Sequence, residues 1–410
     1  MCSLNAIDAS PPAASSAREV ARGSGVVGAV FLMATSAIGP GFITQTAKFT
    51  LELGASFACA ILLSVVADVA LQSNLWRVVG ISGLRAHELC NRVVPGAGYV
   101  LSALIVLGGL AFSLGNVSGC GLGLQAMLGL DPKLGGTISA VLAVGIFLWR
   151  RAGLALDRSV IALGIAMLLA TSVSVLRSRP SLSAVGLGAI APQQFKPAIV
   201  TTIIGGTIGG YISYAGVHRL LDSGRSGIAH VAEIQRSAVS SILLTGLMRT
   251  LLFLAVFGVV AQGGKLDAND PAGSAFRAAA GHVGYVLYGV VLWAAALTSV
   301  IGASYTSVSF MSTAATSERT RTLLTVGFIA LGTALYLLLE QTPLRLLVLA
   351  GTLNGLILPF GVGLLLWIAL RRNDLLHGYR YPTWLLSAGV LAWLLTLYLG
   401  YGAISGLRSL

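Results

Sequence analysis

Long apolar segments, separated by short polar ones, make up almost the whole chain. Eleven of them approach the roughly 20 residues that a bilayer-spanning helix needs. They lie at 26–50, 54–76, 97–118, 134–149, 158–176, 198–217, 237–261, 282–312, 322–339, 344–370 and 383–405. The pattern predicts an all-α integral membrane protein with one transmembrane domain over 26–410 and no soluble domain of useful size. Residues 1–25, rich in Ala and Ser, are predicted to form a disordered cytoplasmic tail.

Composition supports the membrane assignment. Hydrophobic residues make up 56% of the chain and charged residues 10%, whereas a soluble domain carries about 25% charged residues. Arg18 and Arg22 precede the first apolar segment. That segment is too long for a signal-peptide core and lacks a convincing cleavage site, so we expect a retained first span. The four cysteines form no CxxC pair and predict neither a metal cluster nor a disulfide framework.

The net charge of +12 is distributed unevenly between the two predicted sides of the membrane. Sixteen Lys or Arg fall in segments on the side of the N-terminus, and nine fall on the opposite side. This bias predicts a cytoplasmic N-terminus and an outer C-terminus in the cell inner (plasma) membrane. The basic charge is therefore interpreted as a topology signal and an attraction to anionic lipid. We expect no nucleic-acid partner.

Two of the spans contain residues that oppose a continuous helix. The first holds Gly39, Pro40 and Gly41 in direct succession. The sixth has four glycines within six positions, namely Gly205, Gly206, Gly209 and Gly210. Close helix packing through small residues is an alternative explanation for the sixth span. However, the two spans hold matching positions in two five-helix halves, 26–176 and 198–370, and paired interruptions of this kind are typical of a transporter site near the bilayer midplane.

Several motifs occur in the order in which one transporter family has them. They are "GPGF" at 39–42, "LQS" at 71–73, "VVGISG" at 78–83, "IIGGTIGGY" at 203–211 and "LLVLAGTLNGLILPF" at 346–360. On these motifs the chain resembles the NRAMP transporters. The resemblance implies a LeuT-like fold of two inverted five-helix repeats, followed here by an eleventh helix at 383–405.

The chain departs from the NRAMP pattern where that family binds metal. The resemblance implies metal ligands at a first-span Asp and Asn and a sixth-span Met, and proton-handling carboxylates in the third span. The corresponding positions here are Gly39, Phe42 and Gly209 for the ligands, Gly210 and Tyr211 after the last of them, and Ser113 and Asn116 for the carboxylates. A dehydrated divalent cation needs carboxylates or other strong donors. We therefore expect the metal site to be lost, and we expect no cofactor.

The two interruptions predict an anion site instead. The half-helices near 42–50 and from Tyr211 onward would both point their N-termini at the break, each with free N–H groups and about half a positive charge. Phe42 and Tyr211 would wall an apolar part of the ligand, although both are equally typical of plain packing. Neutral donors lie nearby at Thr44, Gln45, Thr207 and Ser213, and Asn116 lies in the third span.

Charged residues inside the spans leave several interpretations open. Arg249 would be a counter-charge for the anion, a structural partner of Asp68, or a side chain that snorkels to the membrane surface. Asp68 would be a coupling carboxylate or a structural one. A further set at the inner end of the sixth span predicts a gate or helix-end pairing, and it comprises His218, Arg219 and Asp222. Lys48 and Glu52 are expected to form an exposed outer pair.

These features favour a secondary transporter of a small anion, such as a monocarboxylate or bicarbonate. The resemblance adds 5-oxoproline to the candidates. The alternative is a divalent metal transporter that uses backbone oxygens, Asn116 and a hydrated ion. A receptor or scaffold would need a protruding domain, and the sequence predicts none. The chain has no clustered residues suited to catalysis, so we expect no enzyme, and the predicted partners are a small-molecule or ion substrate and the lipid bilayer.

Overall fold

The computed structural model describes residues 12–149, 152–267, 270–313, 315–339 and 343–407. Regular structure in these ranges is helical. The α-helices are α1 Pro12–Ala37, α2 Pro40–Leu53, α3 Phe57–Ser82, α4 Ala86–Val93, α5 Ala97–Leu128, α6 Pro132–Leu148, α7 Ala152–Ser178, α8 Leu182–Ile190, α9 Pro197–Ile208, α10 Ile212–Asp222, α11 Val231–Ala261, α12 Pro271–Met311, α13 Glu318–Leu338, α14 Pro343–Arg371 and α15 Thr383–Leu407.

Each of the eleven predicted spans corresponds to one long helix or to a pair of shorter helices. Seven helical segments of the described residues are long and apolar enough to cross a bilayer. Shorter apolar helices, which include Pro132–Leu148 and Thr383–Tyr398, occupy the remaining predicted spans. The prediction of an all-α integral membrane protein is confirmed. The short helices α4 and α8 lie between spans and were not predicted, because neither is long enough to produce a hydropathy signal.

The structure differs from the sequence prediction at the start of the first span. Helix α1 begins at Pro12, so residues 12–25, predicted as disordered, are helical. Proline suits the first turn of a helix because its missing N–H is not needed there, and the alanines that follow favour helix. The first eleven residues of the predicted tail lie outside the described residues.

The first predicted interruption is confirmed, at Ile38 and Gly39. Helix α1 ends at Ala37 and α2 begins at Pro40. Gly39 has an extended backbone with φ −99° and ψ 179°, and it precedes Pro40 at the first helical position of α2. Gly41 belongs to the first turn of α2 rather than to the break. The proline therefore starts the second half-helix instead of merely ending the first one.

The second predicted interruption is confirmed at a narrower position. Helix α9 continues through Gly205 and Gly206 to Ile208, and α10 begins at Ile212. Gly210 has φ +55°, a left-handed conformation that favours glycine. Gly206 serves close packing instead, since a Cβ added there would lie 2.9 Å from Oε1 of Gln45 on α2. Both interpretations of the glycine-rich stretch thus hold, each for different glycines.

Helix α3 fixes the start of α10. Nε2 of Gln72 and Nε1 of Trp76 each donate a hydrogen bond of 3.0 Å to the backbone oxygen of Ser213. Trp76, Tyr211 and Tyr214 are among the largest fully buried side chains of the described residues. The half-helix after the second break is therefore held by packing and by two hydrogen bonds from one neighbouring helix.

The predicted outer pair between Lys48 and Glu52 is wrong. Nζ of Lys196, the residue before α9, lies 2.5 Å from Oε1 of Glu52, and Lys48 is exposed. Helices α2 and α9 pack against each other. Glu52 therefore pairs with Lys196, at the start of the neighbouring helix, instead of with Lys48 one turn earlier on α2.

Candidate functional site

The two helix breaks lie side by side in the fold. The hydroxyl of Tyr211, at the start of α10, donates to the backbone oxygen of Ser36 near the end of α1 over 3.3 Å. On the other side of the breaks, Gln45 of α2 contacts Gly206 of α9. The prediction that the two interruptions meet is confirmed.

Arg249 of α11 bridges the two half-helices α2 and α9. Its Cζ lies 4.0 Å from the centroid of the Phe42 ring, in cation–π contact. Its Nη1 donates to Oγ1 of Thr207 over 3.0 Å and to the backbone oxygen of Ile203 over 3.5 Å. The residue is 3% exposed, and Nε and Nη2 have no hydrogen-bond partner among the described residues. A buried guanidinium with two unused donor atoms is suited to bind an anion.

Asp68 of α3 is the charged residue that acts on Arg249. It is also buried, and its Oδ1 has no hydrogen-bond partner among the described residues. The two charges interact electrostatically. Yet the ion pairs closer than 4.0 Å found in the described part of the chain do not include one between Asp68 and Arg249. Arg249 therefore lies inside the bundle without a direct ion pair to any residue that the structure describes.

Asn116 of α5 lies beside the first break. A Cβ added to Gly39 would be 3.1 Å from Oδ1 of Asn116 and 3.3 Å from Oγ of Ser299 on α12. Ser299 in turn donates to the backbone oxygen of Thr35 over 3.2 Å. Asn116 is fully buried and lies beside the hydroxyl of Tyr211, but neither of its amide atoms reaches hydrogen-bond distance and angle with a described residue. Buried amides are nearly always hydrogen-bonded, so this one marks a place where a ligand or water would bind.

The other predicted site residues differ in whether their polar atoms already have hydrogen-bond partners. Oε1 of Gln45 has no described partner. Ser213 is occupied, because its hydroxyl donates to the backbone oxygen of Ile208 within the second break. Tyr211 packs edge-to-face on Phe112 at 5.6 Å between ring centroids. Of the other predicted residues at the breaks, Pro40, Gly209 and Gly210 are buried. The partly exposed ones are Gly41, Thr44, Gly205 and Gly206.

The end of the bundle that the charge bias predicts to be cytoplasmic is sealed by polar contacts. Asp222, at the end of α10, accepts from Nη2 of Arg85 at 2.6 Å, from the hydroxyl of Tyr305 at 2.5 Å and from Nη1 of Arg321 at 3.5 Å. These partners precede α4 and lie on α12 and α13. One carboxylate therefore connects α10 with three other parts of the fold.

Two further contacts close the same end. Arg219 pairs with Asp157 of α7 through Nε and Nη2 at 2.8 and 2.7 Å. Nδ1 of His218 lies 2.6 Å from Oγ of Ser309, and its Nε2 accepts from the backbone N–H of Ala86 over 3.3 Å. The partners of these residues were not predicted, because pairing between distant helices leaves no local sequence signal.

Comparisons with known proteins place the chain among membrane transporters. The family model described as "Natural resistance-associated macrophage protein-like" (Nramp) matches residues 30–405. A membrane protein of Haemophilus influenzae, described as uncharacterized, is 48% identical over 90% of this chain and 92% of its own length. A Bacillus subtilis membrane protein, also described as uncharacterized, is 46% identical over 89% of this chain and 90% of its own length.

Solved structures show the same fold at low sequence identity. A mutant of the manganese transporter of Eremococcus coleocola matches with a TM-score of 0.75 and 19% identity, covering 94% of this chain and 86% of that one. MhsT in complex with L-phenylalanine matches with a TM-score of 0.62 and 16% identity, covering 92% and 98%. These likenesses confirm the LeuT-like arrangement of two inverted repeats.

Proposed function

Because the chain belongs to the Nramp-like family of transporters, we propose that it is a secondary transporter that carries a small anion, such as a monocarboxylate or bicarbonate. In this proposal the anion binds between the half-helices α2 and α9, and Arg249 neutralises its charge. The observation that carries the proposal is the buried guanidinium of Arg249, which contacts both half-helices and whose Nε and Nη2 have no hydrogen-bond partner in the described part of the chain.

The electrostatics of the two breaks support an anion. The first turn of α2 follows Gly39, and its unused backbone N–H groups carry partial positive charge. Each hydrogen bond from such a group to a charged acceptor contributes about 1.5–3 kcal/mol. Arg249 adds a full positive charge one turn further along α2, over the ring of Phe42. A carboxylate or bicarbonate would meet positive potential from both sources.

The donor chemistry at the breaks does not suit a dehydrated transition metal. Gly39, Phe42 and Gly209 carry no side chain that ligates metal. Within the described part of the chain, no group of three or more His, Cys, Asp or Glu side chains could hold a metal ion. A cationic guanidinium beside the site would repel a divalent cation. These features favour an anion over the metal that the related manganese transporter is named for.

Asn116 narrows the class of anion. Its amide is buried next to Gly39, without a hydrogen-bond partner by distance and angle among the described residues. Gly39 lies about one helical turn before Phe42, whose ring contacts Arg249. An amide offers one acceptor and two donors, so it would suit a second polar group of the ligand. A small carboxylate that also carries an amide, as 5-oxoproline does, matches this combination of a guanidinium and a side-chain amide.

Binding measurements on the purified protein test the proposal. We expect 5-oxoproline or another small monocarboxylate to bind with micromolar to millimolar affinity, while the neutral amide analogue does not bind. Manganese should bind no more tightly than the millimolar range, about −4 kcal/mol. Arg249→Gln should weaken carboxylate binding roughly 10-fold to 100-fold, since charge-assisted hydrogen bonds are lost.

Arg277→Gln is the matched control for the arginine variant. The Cζ of Arg277 also lies 4.0 Å from an aromatic centroid, that of Tyr285, but Arg277 is exposed, whereas Arg249 is buried. It should leave carboxylate binding unchanged. Saturable micromolar manganese uptake into proteoliposomes, without carboxylate binding, would overturn the proposal.

A further inference from the structure

Asp68 and Arg249 face each other from two antiparallel helices. Contacts between α3 and α11 pair Phe57 with Phe253 near one end, and Gly80 with Ile234 near the other. Between them, a Cβ added at Gly246 would lie 2.8 Å from Cγ2 of Val65. Asp68 and Arg249 each lie three residues beyond this contact in their own helices. Because Cα–Cβ bonds tilt toward the N-terminus of a helix, the two side chains lean toward each other.

The surroundings of Asp68 offer its carboxylate little stabilisation. The side chain is buried, and Oδ1 accepts no hydrogen bond from any described residue. Helices α8, α9, α10, α11, α14 and α15 pack against α3. Of the described side chains on them, Arg249 is the charged group that acts on Asp68. The negative charge of the Asp68 carboxylate is thus balanced by one positive charge, that of Arg249, which does not contact it directly.

The charges of Asp68 and Arg249 determine the protonation state in which an anion can bind. Asp68 and Arg249 together are neutral when both are ionised. An anion that binds Nε and Nη2 of Arg249 would then leave one net negative charge in the apolar interior, which is strongly unfavourable. A proton on Asp68 removes that charge and releases the guanidinium from its opposing carboxylate.

We propose that Asp68 is the proton-binding site that couples transport to proton movement, so that one proton and one anion cross together. This inference rests on the proposed anion function. A proton from water on the entry side binds the Asp68 carboxylate to form a carboxylic acid, and the anion occupies the free donors of Arg249. Both are released on the opposite side, where the carboxyl loses its proton to water. The cycle moves no net charge.

Proteoliposomes that contain a lumenal pH dye test this coupling, with labelled 5-oxoproline as the probe. For the wild type we expect lumenal acidification when the probe is added outside. A gradient of one pH unit, alkaline inside, should accumulate the probe about tenfold at one proton per anion. The rate should not depend on an imposed membrane potential.

Asp68→Asn should abolish both acidification and gradient-driven accumulation, while exchange of labelled for unlabelled probe continues. Asp68→Glu keeps a carboxyl group and should retain acidification. The matched control is Ser64→Ala, one turn earlier on α3, whose hydroxyl donates to the backbone oxygen of Ile61 over 2.8 Å. This variant should behave as the wild type does.

The outcomes separate the two proposals. Tenfold accumulation in Asp68→Asn, or wild-type exchange without acidification, would overturn the role of Asp68 and leave anion transport standing. Wild-type protein that neither binds nor exchanges the probe or any other carboxylate would overturn both. If Asp68→Asn fails to fold, voltage-dependent transport in the wild type would still contradict an electroneutral cycle.

Discussion

Gly39 is the position in the proposed site where a charged side chain can most easily be introduced by substitution. Its φ of −99° and ψ of 179° are accessible to any residue, and the nearest atoms to an added Cβ are Oδ1 of Asn116 and Oγ of Ser299. Glycine is therefore not required there by the backbone. Because glycine has no side chain, Gly39 places no negative charge beside the first turn of α2.

Gly39→Asp should weaken binding of 5-oxoproline roughly a hundredfold. Two like charges about 5 Å apart repel by about 3 kcal/mol at an effective dielectric constant near 20. Gly39→Asn is the matched control, because it has the same shape without the charge. Equal losses of affinity in the two variants, measured by titration, would show that crowding is responsible and that the anion does not lie beside Gly39.

Single residues also show how far the sequence could predict the site. Arg249 and Asn116 were recognisable, because a charge or an amide inside an apolar span is costly and therefore conspicuous. Ser299 was missed, since serine is common in membrane helices and carries no such signal. Ser213 was predicted as a free donor, but the turn between α9 and α10 brings its hydroxyl onto the Ile208 oxygen.

Among the elements, the interrupted helices were predictable and the additional helices were not. Gly–Pro–Gly and repeated glycines act through local backbone rules, so the sequence located both breaks to within a few residues. The irregular backbone inside α12 lies at Ala280 and Gly281, where Gly281 is exposed and has φ +61°. Helix α4 has only eight residues and packs against α5 and α14. A pattern of apolar residues alone carries no information about such contacts.

The position of α10 depends on two hydrogen bonds from α3, and this dependence can be tested. Trp76→Phe keeps most of the buried ring but removes the Nε1 donor to Ser213. We expect a loss of about 0.5–1.5 kcal/mol in the free energy of unfolding, measured as a lower unfolding temperature in detergent. Trp149→Phe, at a site that is 68% exposed, should have little effect. Equal destabilisation by both would contradict a specific role for the Trp76 bond.

One end of the molecule, called the closed end below, is held together by buried side chains and polar contacts. Tyr214, His218 and Phe310 are buried at the predicted cytoplasmic end, while Thr44 and Gly205 on the opposite side of the breaks are partly exposed. Asp222 connects α10 to Arg85, Tyr305 and Arg321 within the closed end. We infer that alternating access requires this set of contacts to separate.

Cys90 of α4 is a native reporter of that separation. It is fully buried and lies near Tyr214, and burial raises the pKa of its thiol to about 12. Because the thiolate is the reactive form, Cys90 should label slowly near neutral pH while the end is closed. Opening would return the pKa toward about 8.5 and expose the sulfur, so labelling should accelerate.

Asp222→Asn should therefore raise the rate of maleimide labelling at Cys90 at least about tenfold, in a background where Cys2, Cys59 and Cys120 are alanine. The neutral amide keeps the size of the side chain but removes the charge that holds two arginines, so the closed end loses its main electrostatic link. Asp374→Asn is the control, because it removes an exposed partner of Arg372 two residues away and should leave labelling unchanged. Unaltered labelling in Asp222→Asn, in protein that still binds the carboxylate probe, would show that the closed end is held by packing of Tyr214, His218 and Phe310 rather than by the charges around Asp222.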